Sequence, residues 1–253
     1  MACDNRAGGG GTKDAKALAQ DAESIKRVAL LSIWRSERPP ITLEWMRPKL
    51  WHYERMASAM GYQLVAGVDE VGMGPLAGPV VGGAVVLPIG VRIPGLDDSK
   101  LLNAEQRERV DALIRRRAVA VSVCAVDHGQ VDRLGLLKAR HLATAGAVAG
   151  LGVKAEYLLV DAFDVPDSPL PQMAVVRGDK VCASIMAASI VAKVARDRAM
   201  IEYDSLYPGY GFADHKGYAT PSHRAAIRRL GPSPIHRTTW APFRVSELIG
   251  QQS

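Results

Sequence analysis

The chain reads as an α/β protein, a mixed β-sheet covered by helices and preceded by a small helical extension. Three observations predict this. Two apolar runs, Leu64 to Val68 and Pro79 to Leu87, flank the glycine-rich turn Gly72-Met73-Gly74-Pro75 and read as an antiparallel pair. Later strand-like runs alternate with helical ones, the pattern of strands laid parallel in a helix-covered sheet. Several of the strand runs release an aspartate at or near their ends, where ligands gather in open α/β sheets.

Taken in order, residues 1–11 end in four glycines and read as a disordered leader. Thr12 could cap a helix reaching about Arg35, with Leu18, Ala22, Ile25, Ala29 and Ile33 as its apolar stripe, and Pro39-Pro40 stops it. A second helical segment, Leu43 to Met60, carries Trp45, Trp51 and Tyr53, and Pro48 can kink it. Residues 12–60 thus form a helical extension that either packs on the body or touches nucleic acid. Residues 61–253 make the main domain. Asn103 caps a helix from Ala104 to Arg117, with Glu105 and Gln106 in its first turn. Ala118 to Val126 is a third strand, and Val131 to Ala149 forms one or two helices. Tyr157 to Val160 is a short strand ending at Asp161, and Met173 to Val176 another ending at Gly178-Asp179. A long alanine-rich helix, Ala183 to Tyr203, follows, and Pro221 or Ser222 opens a last helix through Leu230.

The length of 253 residues is enough for one large core and a small appendage. No apolar run is long and charge-free enough to span a bilayer, and the start lacks the basic-then-apolar order of a secretory signal. Three scattered cysteines suggest neither a disulfide framework nor a zinc site, and imply a cytosolic protein with reduced thiols. The net charge of +6 is uneven: Arg177 to Arg244 hold 11 basic against 5 acidic residues, and the remainder balances. A basic C-terminal third suggests a polyanionic substrate, although such an excess is also common on a merely solvated surface.

Asp69 and Glu70 follow VAGV, Asp161 follows YLLV, and Asp179 follows AVVRG. Adjacent acids at a buried strand end resist desolvation and repel each other unless a cation neutralises them. Any one aspartate could equally be a cap or a turn residue. Together the four could hold two hard cations in oxygen ligands, the arrangement that activates water and stabilises a leaving oxygen at phosphorus. Ser99-Lys100 precedes a helix N-terminus, a place suited to anions. Lys193 and Arg196 stand about one turn apart on the long helix, either as phosphate contacts or as an exposed face. In HKGYAT, Tyr218 could stack on a sugar or base, or simply pack. His215, His223 and His236 have no serine or cysteine at a triad spacing.

These blocks, AGVDEVGMGPLAGPV, LDDSK, LLVDA, AVVRGD, AASIVAKVARD, YGFADHKGY and HRTTWAPF, resemble type 2 ribonuclease H, the bacterial ribonuclease HII, from about Leu64 to Phe243. The segment EWMRPKLWHYERMASAMGY is similar to the helical extension of some bacterial members. The resemblance implies a ribonuclease H-like sheet and Mg2+- or Mn2+-dependent cleavage of RNA in RNA/DNA hybrids. It also implies cutting on the 5′ side of a single ribonucleotide in duplex DNA, leaving a 3′-hydroxyl and a 5′-phosphate. Asp69, Glu70, Asp161 and Asp179 match the family's metal-binding acids. Tyr218 matches its junction tyrosine, and Gly72, Met73 and Gly74 fall on its Gly-Arg-Gly motif, which senses the ribose 2′-hydroxyl.

The chain departs from the family at three places. Met73 replaces the arginine, removing a permanent charge and its donors. Ala195 stands where threonine is frequent, and Leu101 where a second lysine commonly follows DSK. The expectation is an active cytoplasmic ribonuclease H acting as a monomer. Its rivals are a catalytically impaired junction binder, because of Met73, and another nuclease of the same fold acting on DNA.

Overall fold

The computed structural model describes residues 49–166, 168–240 and 243. They belong to a compact unit that begins at Pro48. The expected leader and first helix, and the start of the second helical segment, lie outside the described residues.

Five strands form the sheet: β1 (Val65–Val71), β2 (Val80–Val86), β3 (Ala120–Val126), β4 (Tyr157–Asp161) and β5 (Gln172–Val175), in the order β3-β2-β1-β4-β5. β1 pairs antiparallel with β2, and β2 with β3; β4 runs parallel to β1, and β5 to β4. The expected α/β mixed sheet is present, with the hairpin on one side and the strand–helix units on the other.

Glycines let helices close on both faces. α4 (Leu136–Ala149) lies against Gly82, where an added Cβ would meet the Ala143 carbonyl at 2.4 Å. The long α6 (Ala183–Leu206) lies against Gly67 and Gly83, where a Cβ would meet the Ser184 backbone at 2.1 Å and the Ala188 carbonyl at 2.4 Å. Alanines of α6 make this approach possible from the other side, and Ala187, Ala188, Ile190 and Val191 are fully buried.

The remaining helices follow local signals. α2 (Ala104–Arg117) starts at a complete capping box, Asn103 with Gln106. Gly135, at φ 81°, separates α3 (His128–Leu134) from α4. Thr220 caps α8 (Pro221–Leu230) with proline at its first position. Two short helices, α5 (Gly178–Val181) and α7 (Phe212–His215), were not expected from the sequence. α1 (His52–Ala59) starts just after Trp51, which sits in the left-handed region at φ 75° and so stands outside its helical turns. Trp51 is buried against Val85 and Ile114, and Ala57 against Val65 and Leu159, so this part of the extension packs on the body. Among the described residues no helix is long and apolar enough to cross a membrane.

Candidate active site

The acids gather at one end of the central strands. Asp69 and Glu70 lie within β1 rather than just beyond it, because pairing continues through Asp69↔Gly83 and Glu70↔Gly82. Successive strand residues face opposite sides of a sheet. Asp69 accordingly meets Ser189 of α6, and Glu70 feels Arg140 of α4. Asp161 ends β4, and its Oδ1 accepts the backbone N–H groups of Gly178 at 2.7 Å and Asp179 at 3.4 Å. That contact draws the start of α5, and with it Asp179, to the end of β4.

A cleft of about 260 Å³ is lined by Asp69, Glu70, Gly72, Met73, Gly74, Ser99, Lys100, Asp161, Ser189, Lys193 and Tyr218. Most of the residues expected from the sequence therefore share one wall or another of a single cleft. Asp179 reaches it through Lys100, whose Nζ lies 2.6 Å from Asp179 Oδ2. Ser99 Oγ and Ser189 Oγ are 2.9 Å apart, tying the Ser99-Lys100 loop to α6. Gly74 stands beside the Tyr218 ring, where a Cβ would approach at 3.7 Å. Gly72 has φ +94°, and a side chain there would strike the Pro79 carbonyl at 2.5 Å and Arg196 Nε at 2.6 Å.

Arg196 is placed differently from the sequence expectation of a substrate contact. It is 1 % exposed, and it donates from Nε to the Pro79 carbonyl, from Nη1 to Lys216 and from Nη2 to Ala77, at 3.0–3.1 Å. Three residues on from Lys193, it has rotated from the cleft onto the back of the loops that line it. Lys193 does face the cleft, with Nζ 2.5 Å from Asp197 Oδ1. Met73 lines the cleft too, but its side chain also packs against Val80, Ala139 and Ala143.

The electrostatics are those of a site short of positive charge. Burial, then Asp161 and Glu70, push the Asp69 carboxyl well above the usual range. Burial raises Glu70 as well, against the favourable pull of Arg140, and burial followed by Asp179 raises Asp161. The hydrogen bond to Asp179 raises Lys100, whose ammonium stands where a cation is wanted. The donors are all carboxylate oxygens, the set that hard divalent ions prefer. Among the described residues no three acidic, histidine or cysteine side chains form a ready-made cage. A cation held here would complete its shell with water and substrate oxygens, as Mg2+ commonly does.

Sequence reasoning missed Ser189 and Arg140. Helical spacing could have found Ser189, one turn before Lys193. Nothing local marks Arg140, which is 7 % exposed and lies 4.0 Å over the Phe163 ring.

Residues 66–243 match the family described as Ribonuclease HII. The chain belongs to the ribonuclease HII family. It is 50% identical over 205 residues to the ribonuclease HII of Geobacter sulfurreducens, covering 81% of this chain and 94% of that one. To the ribonuclease HII of Geobacillus kaustophilus it is 46% identical over 227 residues, 90% of this chain and 87% of the relative. The fold is similar to that of ribonuclease H2 from Pyrococcus horikoshii, at 27% identity and a TM-score of 0.62, over 72% of this chain and 96% of that one. As a ribonuclease HII the chain is a hydrolytic nuclease of the ribonuclease H class.

Proposed function

We propose that this ribonuclease HII cuts the RNA strand of RNA/DNA hybrids and cuts 5′ to single ribonucleotides in duplex DNA, leaving a 3′-hydroxyl and a 5′-phosphate. The observation that carries the reading is one cleft in which Asp69, Glu70 and Asp161 share a wall with Lys100, Lys193 and the Gly72–Gly74 turn beside Tyr218. Asp69, Glu70, Asp161 and Asp179 would hold two Mg2+ or Mn2+ ions. Such ions supply an activated water and a counter-charge for the leaving oxygen. Lys100 and Lys193 attract the phosphate backbone, and backbone groups of Gly72 and Gly74 on the same cleft wall would sense a 2′-hydroxyl. Tyr218, 45 % exposed, offers its ring to the sugar of the junction nucleotide. Arg196 acts from behind, holding the loops rather than the substrate. Action as a cytoplasmic monomer belongs to the same reading.

A second reading rests on Met73: with no guanidinium beside the phosphate, the protein grips junctions but turns them over slowly. One experiment separates the two. The protein is incubated in Mg2+ and in Mn2+ with a DNA duplex carrying one ribonucleotide, an RNA/DNA hybrid and plain DNA. Cleavage 5′ to the ribonucleotide with plain DNA intact is the expected result. Cleavage of the hybrid alone would confine the loss to junction sensing. Binding without cleavage in either metal would favour the second reading, and cleavage of plain DNA would overturn both.

A further inference from the structure

Two of the three histidines that form no triad, His223 and His236, are joined into a buried chain behind Tyr218, and His215 stacks on the first of them. His223 Nδ1 lies 2.9 Å from the Tyr218 carbonyl, which can only accept, so Nδ1 carries the proton. Its Nε2 is then an acceptor for His236 Nε2–H at 3.0 Å. His236 Nδ1, left as an acceptor, takes the Ser233 N–H at 2.8 Å and faces the Ser233 hydroxyl at 2.8 Å. Each ring is therefore neutral with one tautomer, and every donor in the chain points toward Tyr218. Next to it, His215 accepts the Gly217 N–H at Nδ1 and donates from Nε2 to the Tyr210 carbonyl.

The same short segment also grips the glycine turn. Arg237, fully buried, donates from Nη2 to Gly72 at 2.7 Å and to Gly78 at 2.9 Å. Backbone bonds link Arg237 N–H to Leu76, Gly78 N–H to Ile235, and Leu76 N–H to Gly217. The two loops that face the cleft, around Gly72 and around Tyr218, are thus tied to one strip of backbone, Ser233 to Arg237.

We infer that this strip is the positioning element of the substrate wall: His236 and His223 set Tyr218, and Arg237 sets Gly72, so that ring and turn present together. The inference rests on the reading of Tyr218 and Gly72 as substrate groups. It assigns a task to residues that touch neither metal nor nucleic acid. Burial supports it, because it pushes His223 and His236 down to about 4, and the chain stays neutral and intact at physiological pH.

Two near-equivalent amides test it. His223→Asn keeps an N–H at the Nδ1 position, facing Tyr218; His223→Gln keeps a polar group at the Nε2 position, facing His236. Both are compared with wild type in the full chain for melting temperature, for KM and kcat on the single-ribonucleotide duplex, and for the Tyr218 backbone amide resonance. The expected result is a rise in KM of about two- to threefold for His223→Asn, which loses its hold on His236 but keeps Tyr218, and of about tenfold for His223→Gln, the scale of a small misplacement. In the Tyr218→Ala background the two should differ by less than about twofold, because the effect travels through that ring. Equal KM values in Asn and Gln variants, or a difference that persists without the Tyr218 ring, would overturn the inference. A wild-type protein that cuts nothing would instead overturn the substrate reading. The Tyr218 amide, shifted more by Gln than by Asn, would still decide the positioning.

Discussion

Replacing Asp69 with Asn should make the metal-free protein more stable while abolishing its chemistry. Asp69 is 5 % exposed, and its folded-state ionisation is opposed by burial, by Asp161 and by Glu70. A carboxyl raised above its unfolded value favours the fold when protonated. That contribution is present below the unfolded range and is lost as pH rises through the folded value, so at neutral pH the charge is a liability. Like charges a few ångströms apart repel by roughly 2–4 kcal/mol at an effective dielectric near 20. Lys100 and Ser189 offset part of this. A net gain of about 1–2 kcal/mol is expected, the usual scale for relieving a functional site. For a chain of this size that is a rise in melting temperature of about 2–8 °C. Asparagine keeps the Oδ1 that accepts the Glu70 N–H at 2.8 Å, so the strand is undisturbed. The assay is thermal unfolding of both proteins in chelator and then in Mg2+. Wild type should gain stability with the ion, the variant little, so their order narrows or reverses. Cleavage should fall more than about a hundredfold, since even outer partners of metal ligands cost 10–100-fold. A variant less stable than wild type in chelator would refute the repulsion argument, and one that cuts normally would remove Asp69 from the active site.

Met73→Arg should raise kcat/KM on the single-ribonucleotide duplex by about 10- to 150-fold, from a new charge-assisted hydrogen bond of about 1.5–3 kcal/mol. It should also lower the melting temperature slightly as packing on Val80 and Ala139 is lost; an unchanged rate would mean that another group already serves the phosphate. Glu54→Ala should cost about 2–4 kcal/mol in denaturant unfolding, because Glu54 Oε1 accepts the N–H of Ser184 at 2.8 Å and its hydroxyl at 2.9 Å, capping α6 from α1. A loss under about 0.5 kcal/mol would make that cap idle. For His223 and His236 the folded values near 4 lie below the ordinary 6.5, so the unfolded state binds more protons between these limits. Their share of stability is whole above about pH 6.5 and lost toward pH 4, on the order of 3 kcal/mol for one ring and less than twice that for the coupled pair. His215, Arg224 and His128 add to the penalty on protonation. Unfolding of wild type and His236→Gln at pH 7 and 4.5 isolates this share from the carboxylates; a gap between the two that does not shrink in acid would contradict it.

What the sequence revealed was whatever short-range chemistry encodes. The capping box at Asn103 is complete within four residues, and α2 has the predicted ends. The hydrophobic runs before Asp69, Asp161 and Asp179 are equally local, and they brought the acids together before any fold was known. Lys193 and Arg196 show where that reasoning stops. A helical ruler puts both on one face, yet Lys193 faces the cleft and Arg196 is sealed beneath Pro79 and Lys216. The difference depends on loops far away in the chain. The same holds for Glu54 under Ser184, and for His236 against His223: each is a contact whose partner no local pattern names. Gly82 and Gly83 were visible as letters, but their reason, helices pressing on both faces of β2, is purely tertiary.

α6 explains why the two walls of the cleft behave as one site. Its start follows Asp179 and is capped by Glu54. One turn after another it then presents Ser189 to Asp69, Lys193 to the cleft and Arg196 to the carbonyls under Tyr218. At Gly67 and Gly83 the helix backbone lies so close to the sheet that even a methyl group would strike it, so α6 is seated directly on β1, which carries Asp69 and Glu70, and on its neighbour β2. A shift of α6 would therefore move a charge at the acids and a brace at the tyrosine loop together. Catalysis and grip should consequently fall in step when Gly83 is enlarged, even though that residue touches neither substrate nor metal. A change at His223, whose side chain bonds the Tyr218 carbonyl and His236 but none of the acids, should separate them.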